Sequence, residues 1–147
     1  MKPFEDIAIG TLVPQQPPFR FVDRLLYCDE QCAEVEFTVP REGILVSEGT
    51  LLAGGLVEHM AQACSAMTGY IAVYIRFLPV SFGYLGHVRS LQVRRLPQVG
   101  ELLHTRVDVI EDIFGIFMAK VSVCCGDEPL ADAIIKTASA AKEDITQ

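Results

Sequence analysis

The stretch TLLAGGLVEHMAQACSAMTGYIAVYIR, residues 50–76, decides the fold. Leu56, Met60, Ala63, Met67 and Tyr70 recur at helical spacing, and so do Val57, Ala61, Cys64 and Ile71. The two stripes cover most of the surface, so the spacing predicts a helix over residues 50–76 that is buried nearly all round. Glu58, His59 and Gln62 interrupt this apolar rod. Glu58, Gln62 and Ser65 stand at i, i+4 and i+7 and share one narrow face. A carboxylate in apolar company is costly unless it is paired or protonated. A structural ion pair accounts for many such acids, and a catalytic task for others. The same three polar residues exclude a bilayer span, although the run is long enough for one.

Gly54 and Gly55 fall in the first turns of this helix, where each costs up to about 1 kcal/mol of propensity. Close approach of a ligand or of a second backbone gives one reason for them, and tight packing against a strand gives another. Ser47 or Thr50 is the expected cap. Before the helix, residues 1–18 read as a loop segment. Pro14, Pro17 and Pro18 forbid regular helix there, apart from a short turn around Phe4 to Ile7. A strand is expected to begin within Phe19 to Cys28. Cys32 to Val39 alternates, with Ala33, Val35, Phe37 and Val39 on one face and Glu34, Glu36 and Thr38 on the other, as in a half-exposed antiparallel strand.

After Pro79 come four strand-like runs: Val80 to Leu96, Glu101 to Glu111, Phe114 to Cys125 and Leu130 to Ala140. Pro97 to Gly100 and Gly126 to Pro129 mark turns between them. The tail, residues 142–147, is polar and expected to fray. At 147 residues the chain reads as one domain, residues 1–147, with half its residues hydrophobic. A strand pair, one long helix and then hairpin-linked strands predict an α+β fold in which an antiparallel sheet wraps around one long central helix. Such a sheet leaves an edge strand uncovered, and pairing with a twin would cover it, so at least a dimer is expected.

The net charge of -7 argues against a nucleic-acid surface. It leaves room for an acidic carrier protein at a local basic patch, and Arg89, Arg94 and Arg95 form one. Five cysteines without metal-ligand spacing read as reduced thiols of a cytoplasmic protein. MKPFEDIAIG carries two acids and no apolar core, so no signal peptide is expected. No metal cluster, phosphate loop, nucleophile elbow or nucleotide fingerprint is present, and no cofactor is implied.

Three pieces resemble one family. Leu12-Val-Pro-Gln-Gln-Pro-Pro-Phe-Arg-Phe-Val-Asp-Arg24 resembles the L-P-H-x-x-P-F-x-x-V-D-R segment of the 3-hydroxyacyl-[acyl-carrier-protein] dehydratases. Leu56-Val-Glu-His-Met-Ala-Gln62 resembles their L-x-E-x-M-A-Q helix. Phe82 to Arg89, followed by Pro97-Gln-Val-Gly100, is similar to their later strand and its P-x-G turn. The resemblance implies the hotdog fold. The nearest subgroup is the dehydratase-like proteins of aryl-polyene pigment clusters. Two departures stand out. The G-H-F-P histidine that the family places before the helix would fall on position 44, which is Ile44. The histidine of P-H-x-x-P is replaced by Gln15.

Dehydration of a 3-hydroxyacyl thioester needs a base for the C2 proton and an acid for the leaving hydroxyl. In the family the histidine is the base and the helix acid assists the hydroxyl. Here Glu58 is the expected catalytic acid, facing a cavity at a subunit interface, and His87 is the candidate replacement for the histidine. Gly54, Gly55, Gln62 and His59 are the candidate substrate-binding residues, with backbone N–H groups at the helix start polarising the thioester carbonyl. Gln62 also reads as a structural amide, and His104 as a solvent or interface residue. The methionines with Phe77, Phe82, Phe114 and Phe117 read as an acyl tunnel or as core. The first functional expectation is a dehydratase-like enzyme of fatty-acid or polyene-type biosynthesis acting on acyl-carrier or CoA thioesters. The alternatives are a non-catalytic subunit that binds a carrier or pairs with an active dehydratase, and an acyl thioesterase.

Overall fold

The alternation read in residues 32–39 becomes the second strand of a hairpin. In the computed structural model, which describes residues 2–80 and 83–139, β1 (Arg24–Cys28) pairs antiparallel with β2 (Cys32–Thr38). Asp29 builds the turn between them: its Oδ1 accepts from the backbone N–H of Gln31 and Cys32, and its Oδ2 from the Tyr27 hydroxyl. Ala33, Val35 and Phe37 turn inward and are buried. A two-rung hairpin follows, β3 (Val46–Ser47) with β4 (Thr50–Leu51). The central helix α1 then runs Ala53–Tyr70, and its last turn, Ile71–Ile75, widens to π spacing with Arg76 N–H donating to the Ile71 carbonyl.

Four antiparallel strands complete the chain: β5 (Gly83–Val93), β6 (Leu102–Ile113), β7 (Ile116–Cys125) and β8 (Glu128–Ser139). The six long strands form one sheet in the order β1-β2-β6-β7-β8-β5. The sheet curls around α1, as the α+β reading expected, and Leu56, Met60, Ala63, Met67 and Tyr70 are all buried. At the far rim Arg95 donates to both Glu101 and Glu128 at 2.8–2.9 Å, which ties the exit of β5 to the starts of β6 and β8. This pairing holds the Glu101 carboxyl down at about 2.

Some expectations need correction. Thr50 and Leu51 are strand, because the Leu51 N–H donates to the Pro97 carbonyl and Thr50 bridges to Gln98. Neither Ser47 nor Thr50 caps the helix; Leu52 occupies that place without a side-chain cap. The first strand, expected to begin within Phe19 to Cys28, begins at Arg24. Phe77 and Phe114 are 84% and 93% exposed and line no tunnel, whereas Phe117 is core. Phe82 and the tail, residues 142–147, lie outside the described residues. All five cysteines are free. Burial pushes the Cys28 and Cys64 thiols up to about 12, so they stay protonated.

The N-terminal segment lies directly on the helix. A Cβ added to Gly69 would stand 2.3 Å from the Leu12 carbonyl oxygen. Gly69→Ala should therefore lower stability by about 1–3 kcal/mol in urea unfolding, although alanine is the better helix former. Unchanged or higher stability would mean that the segment is not seated on the helix.

Candidate active site

The face that carries Glu58 and Gln62 is covered by the loop ahead of β1. Gln62 is fully buried, and its amide is fully used. Its Oε1 accepts from the Phe21 N–H at 2.6 Å, and its Nε2 donates to the Phe19 carbonyl and to Glu58 Oε1, both at 2.8 Å. His59, one residue along from Glu58 and about 100° around the helix, completes the attachment. Its Nδ1 lies 2.6 Å from the Phe21 carbonyl and its Nε2 2.7 Å from Thr105 Oγ1. A carbonyl only accepts, so Nδ1 carries the proton and Nε2 accepts from the Thr105 hydroxyl. The ring stacks on Phe37, which stacks on Phe21. Burial disfavours the imidazolium and pushes His59 down to about 4, and the bond to Phe21 only partly offsets this.

His59 and Gln62 were candidates for substrate contact. The structure spends both on the protein itself. His59 is 0% exposed with both nitrogens occupied. The structural-amide reading of Gln62 fits these contacts. Glu58 is half-buried rather than enclosed. Gln62 turns one carboxylate oxygen, and the other has no partner among the described residues. One turn earlier, Gly54 is exposed beside the helix start. Gly55 is a packing glycine, since a Cβ there would lie 2.5 Å from Leu51 Cδ1 and 3.1 Å from Leu45 Cβ. The N–H groups of Ala53 and Gly54, in the exposed first turn of α1, have no carbonyl a turn before them.

The structure does not bring His87 to Glu58. Within β5 it is exposed and opposite Lys136, on the face of the sheet turned away from α1; Val88, opposite buried Ile135, takes the inner face. A register shift between Leu85 and His87 sets this phase. His104 lies on the outer face, 3.0 Å from Glu34. Ile44, at the position of the family's histidine, lines a groove of about 330 Å³ with Pro17, Pro18, Arg20 and Phe21; Glu58 does not line it. Sequence reasoning missed Thr105 and the backbone of Phe19 and Phe21. Thr105 left a signal, a polar residue at an inward position between Leu103 and Val107. The loop backbone left none.

The sequence profile of the ApeP-like family, described as ApeP dehydratase, matches residues 7–147. No protein of curated function matches by sequence. The chain is similar in structure to the dehydratase heterocomplex ApeI:P from Xenorhabdus doucetiae, with a TM-score of 0.86 at 18% identity over 96% of both chains. It is also similar to a Streptococcus mutans protein bound to acetyl CoA, with a TM-score of 0.65 at 12% identity over 87% of this chain and 94% of that one. A hypothetical thioesterase with coenzyme A from Streptococcus pneumoniae gives a TM-score of 0.63 at 10% identity over 80% of this chain and 85% of that one. These likenesses establish the hotdog fold. Among the described residues no helix is long and apolar enough to cross a membrane.

The attachment through His59 is pH-sensitive with a definite sign. The folded value of about 4 lies below the ordinary 6.5, so the unfolded chain takes up the proton first. The stabilisation is full above about pH 6.5 and is lost as the pH falls toward about 4. In urea unfolding the wild type should lose about 3 kcal/mol over that interval that His59→Gln does not lose. Equal slopes for the two proteins would rule out a neutral buried imidazole.

Proposed function

We propose, from the premise that this chain belongs to the ApeP-like family of dehydratases, that it supplies the carboxylate half of a two-chain site that dehydrates 3-hydroxyacyl thioesters. One observation carries the reading. Glu58 is half-buried and turned by Gln62, yet none of the chain's three histidines reaches it. A carboxylate held this way suits an acid that awaits a base from elsewhere. The heterocomplex named for the similar Xenorhabdus doucetiae structure supports a second chain as the source.

In this reading the thioester carbonyl lies against the N–H groups at the start of α1, where the helix dipole favours the developing enolate oxygen. A histidine of the second chain removes the C2 proton. Glu58, one turn further along, protonates the C3 hydroxyl as the C3–O bond breaks. A C2–C3 double bond forms and water leaves. The carrier is an acyl carrier protein or coenzyme A, the setting is the cytoplasm, and the pathway is of the fatty-acid or polyene type. Gly54 is the residue of the candidate set that leaves room for the thioester. Ile44 cannot act as a base, so the reciprocal site of the same pair is silent.

The test is mass spectrometry of 3-hydroxyacyl carrier thioesters incubated with the chain alone and with a hotdog dehydratase chain that bears the G-H-F-P histidine. Loss of water is expected only in the mixture, and Glu58→Gln should slow it by about 10²-fold or more. Dehydration by the chain alone would overturn the two-chain reading, and normal turnover by the variant would remove Glu58 from the chemistry. Release of free acid from a saturated acyl thioester would favour the thioesterase reading.

A further inference from the structure

We infer that the outer face of the sheet, at the end where β6 turns into β7, is a docking surface for an anionic lipid bilayer. Three strands build its charged part. Lys120 on β7 is opposite Ile134 on β8, and Lys136 on β8 is opposite Met118 on β7. Ile134 is in register with Arg89 on its other side. Val88, opposite buried Ile135, faces α1, so Arg89 lies on the outer face, and its guanidinium reaches the Met118 sulfur at 3.9 Å. Neighbouring strands stand about 4.8 Å apart, which places the backbones of Arg89, Lys120 and Lys136 within about 10 Å of one another.

All three cations are exposed, and among the described residues none forms an ion pair. The acids around them are partly committed. Asp108, opposite Lys120, is held by Arg106 at 3.0 Å, and Asp112 by Arg76 at 3.5 Å. Glu111, opposite Met118, and Asp132, opposite Ser122, form no ion pair among the described residues. The face thus carries a cationic excess although the chain carries -7. Charges further away than about 8–10 Å are largely screened at physiological salt.

The apolar part is the hairpin tip. Ile113 pairs with Ile116, so the loop between them has two residues, Phe114 and Gly115, at φ of 53° and 76°. A turn of this kind prefers asparagine followed by glycine, and a bulky residue at positive φ is strained. Phe114 takes the strained position and is 93% exposed, with Ile113 and Ile116 exposed beside it. Packing within the fold therefore does not account for an aromatic side chain there. A convex tip offers another protein no groove, whereas a bilayer admits a protruding apolar side chain without a preformed pocket. Phe114 and the three cations supply the two signals, apolar insertion and attraction to anionic headgroups, that together hold a protein on a membrane surface. Neither involves α1 or Glu58, so the surface goes beyond the reaction proposed above.

The experiment is co-sedimentation of the full chain with vesicles of phosphatidylcholine, alone or with about one-third phosphatidylglycerol. At about 0.1 M salt binding to the anionic vesicles should be at least about tenfold tighter, and about 1 M salt should remove most of the difference. Lys120→Gln/Lys136→Gln should weaken binding to the anionic vesicles about tenfold or more. Phe114→Asn should weaken it about threefold or more while leaving stability in urea unchanged or higher, because asparagine suits the turn. No binding by the wild type, equal binding to both vesicles, or full retention by either variant would overturn the inference. So would binding of an acidic carrier protein through Lys120 and Lys136 with none to vesicles, which would make the face a protein surface. Should the lysine variant not fold by circular dichroism, the salt series and Phe114→Asn decide. None of these readings depends on turnover, so the inference and the role of Glu58 fail separately.

Discussion

The attachment of the Phe19–Phe21 backbone to α1 is the constraint on which the rest of the structure depends. Gln62 takes the N–H of Phe21 and the carbonyl of Phe19, and His59 takes the carbonyl of Phe21. An irregular loop cannot satisfy its own backbone in the interior, and each orphaned group there costs about 1–3 kcal/mol. Two helix side chains satisfy three such groups. That allows residues 12–22 to lie on the helix in place of another strand. Gly69 removes the last obstacle by letting the Leu12 carbonyl approach.

The same attachment sets the site. Gln62 has two amide hydrogens; one goes to Phe19 and the other to Glu58. The position of the carboxylate is thus referred through one amide to the loop backbone and, through His59 and Thr105, to β6. A buried polar network of this kind is costly if any member is left unpaired, and rigid when all are paired. Every polar atom of Gln62 and His59 is paired. At the candidate site Glu58 is held through one carboxylate oxygen, by Gln62.

Much of this was legible in the sequence, and what was not has identifiable causes. The helix is readable because its stripes are dense enough to require burial, and β2 because it alternates cleanly. Glu58 and Gln62 are readable as partners from their i, i+4 spacing. The helix start is misread because nothing local separates Thr50 and Leu51 from the apolar run; bonds to Pro97 and Gln98, nearly fifty residues on, make them strand. The side of the sheet taken by His87 is hidden for a similar reason. Phase in a strand is counted residue by residue, and the irregularity between Leu85 and His87, marked by Gly86 alone, resets the count.

The polar residues of α1 illustrate a general difficulty in assigning roles from type and place. Glu58, His59 and Gln62 lie within five residues, and all belong to the same apolar rod. Their roles diverge because each faces a different neighbour. His59 looks at a carbonyl and a hydroxyl in a dry core, which makes it a neutral hydrogen-bonding group with no access to a substrate. Gln62 looks at a loop and at Glu58, which makes it a brace. Glu58 looks past the rim of the loop, where one oxygen is held and the other is not. Of the three, Glu58 alone keeps a polar atom without a partner among the described residues. The rod itself supplies no base to work with Glu58, which is why the proposed reaction draws its base from outside the chain.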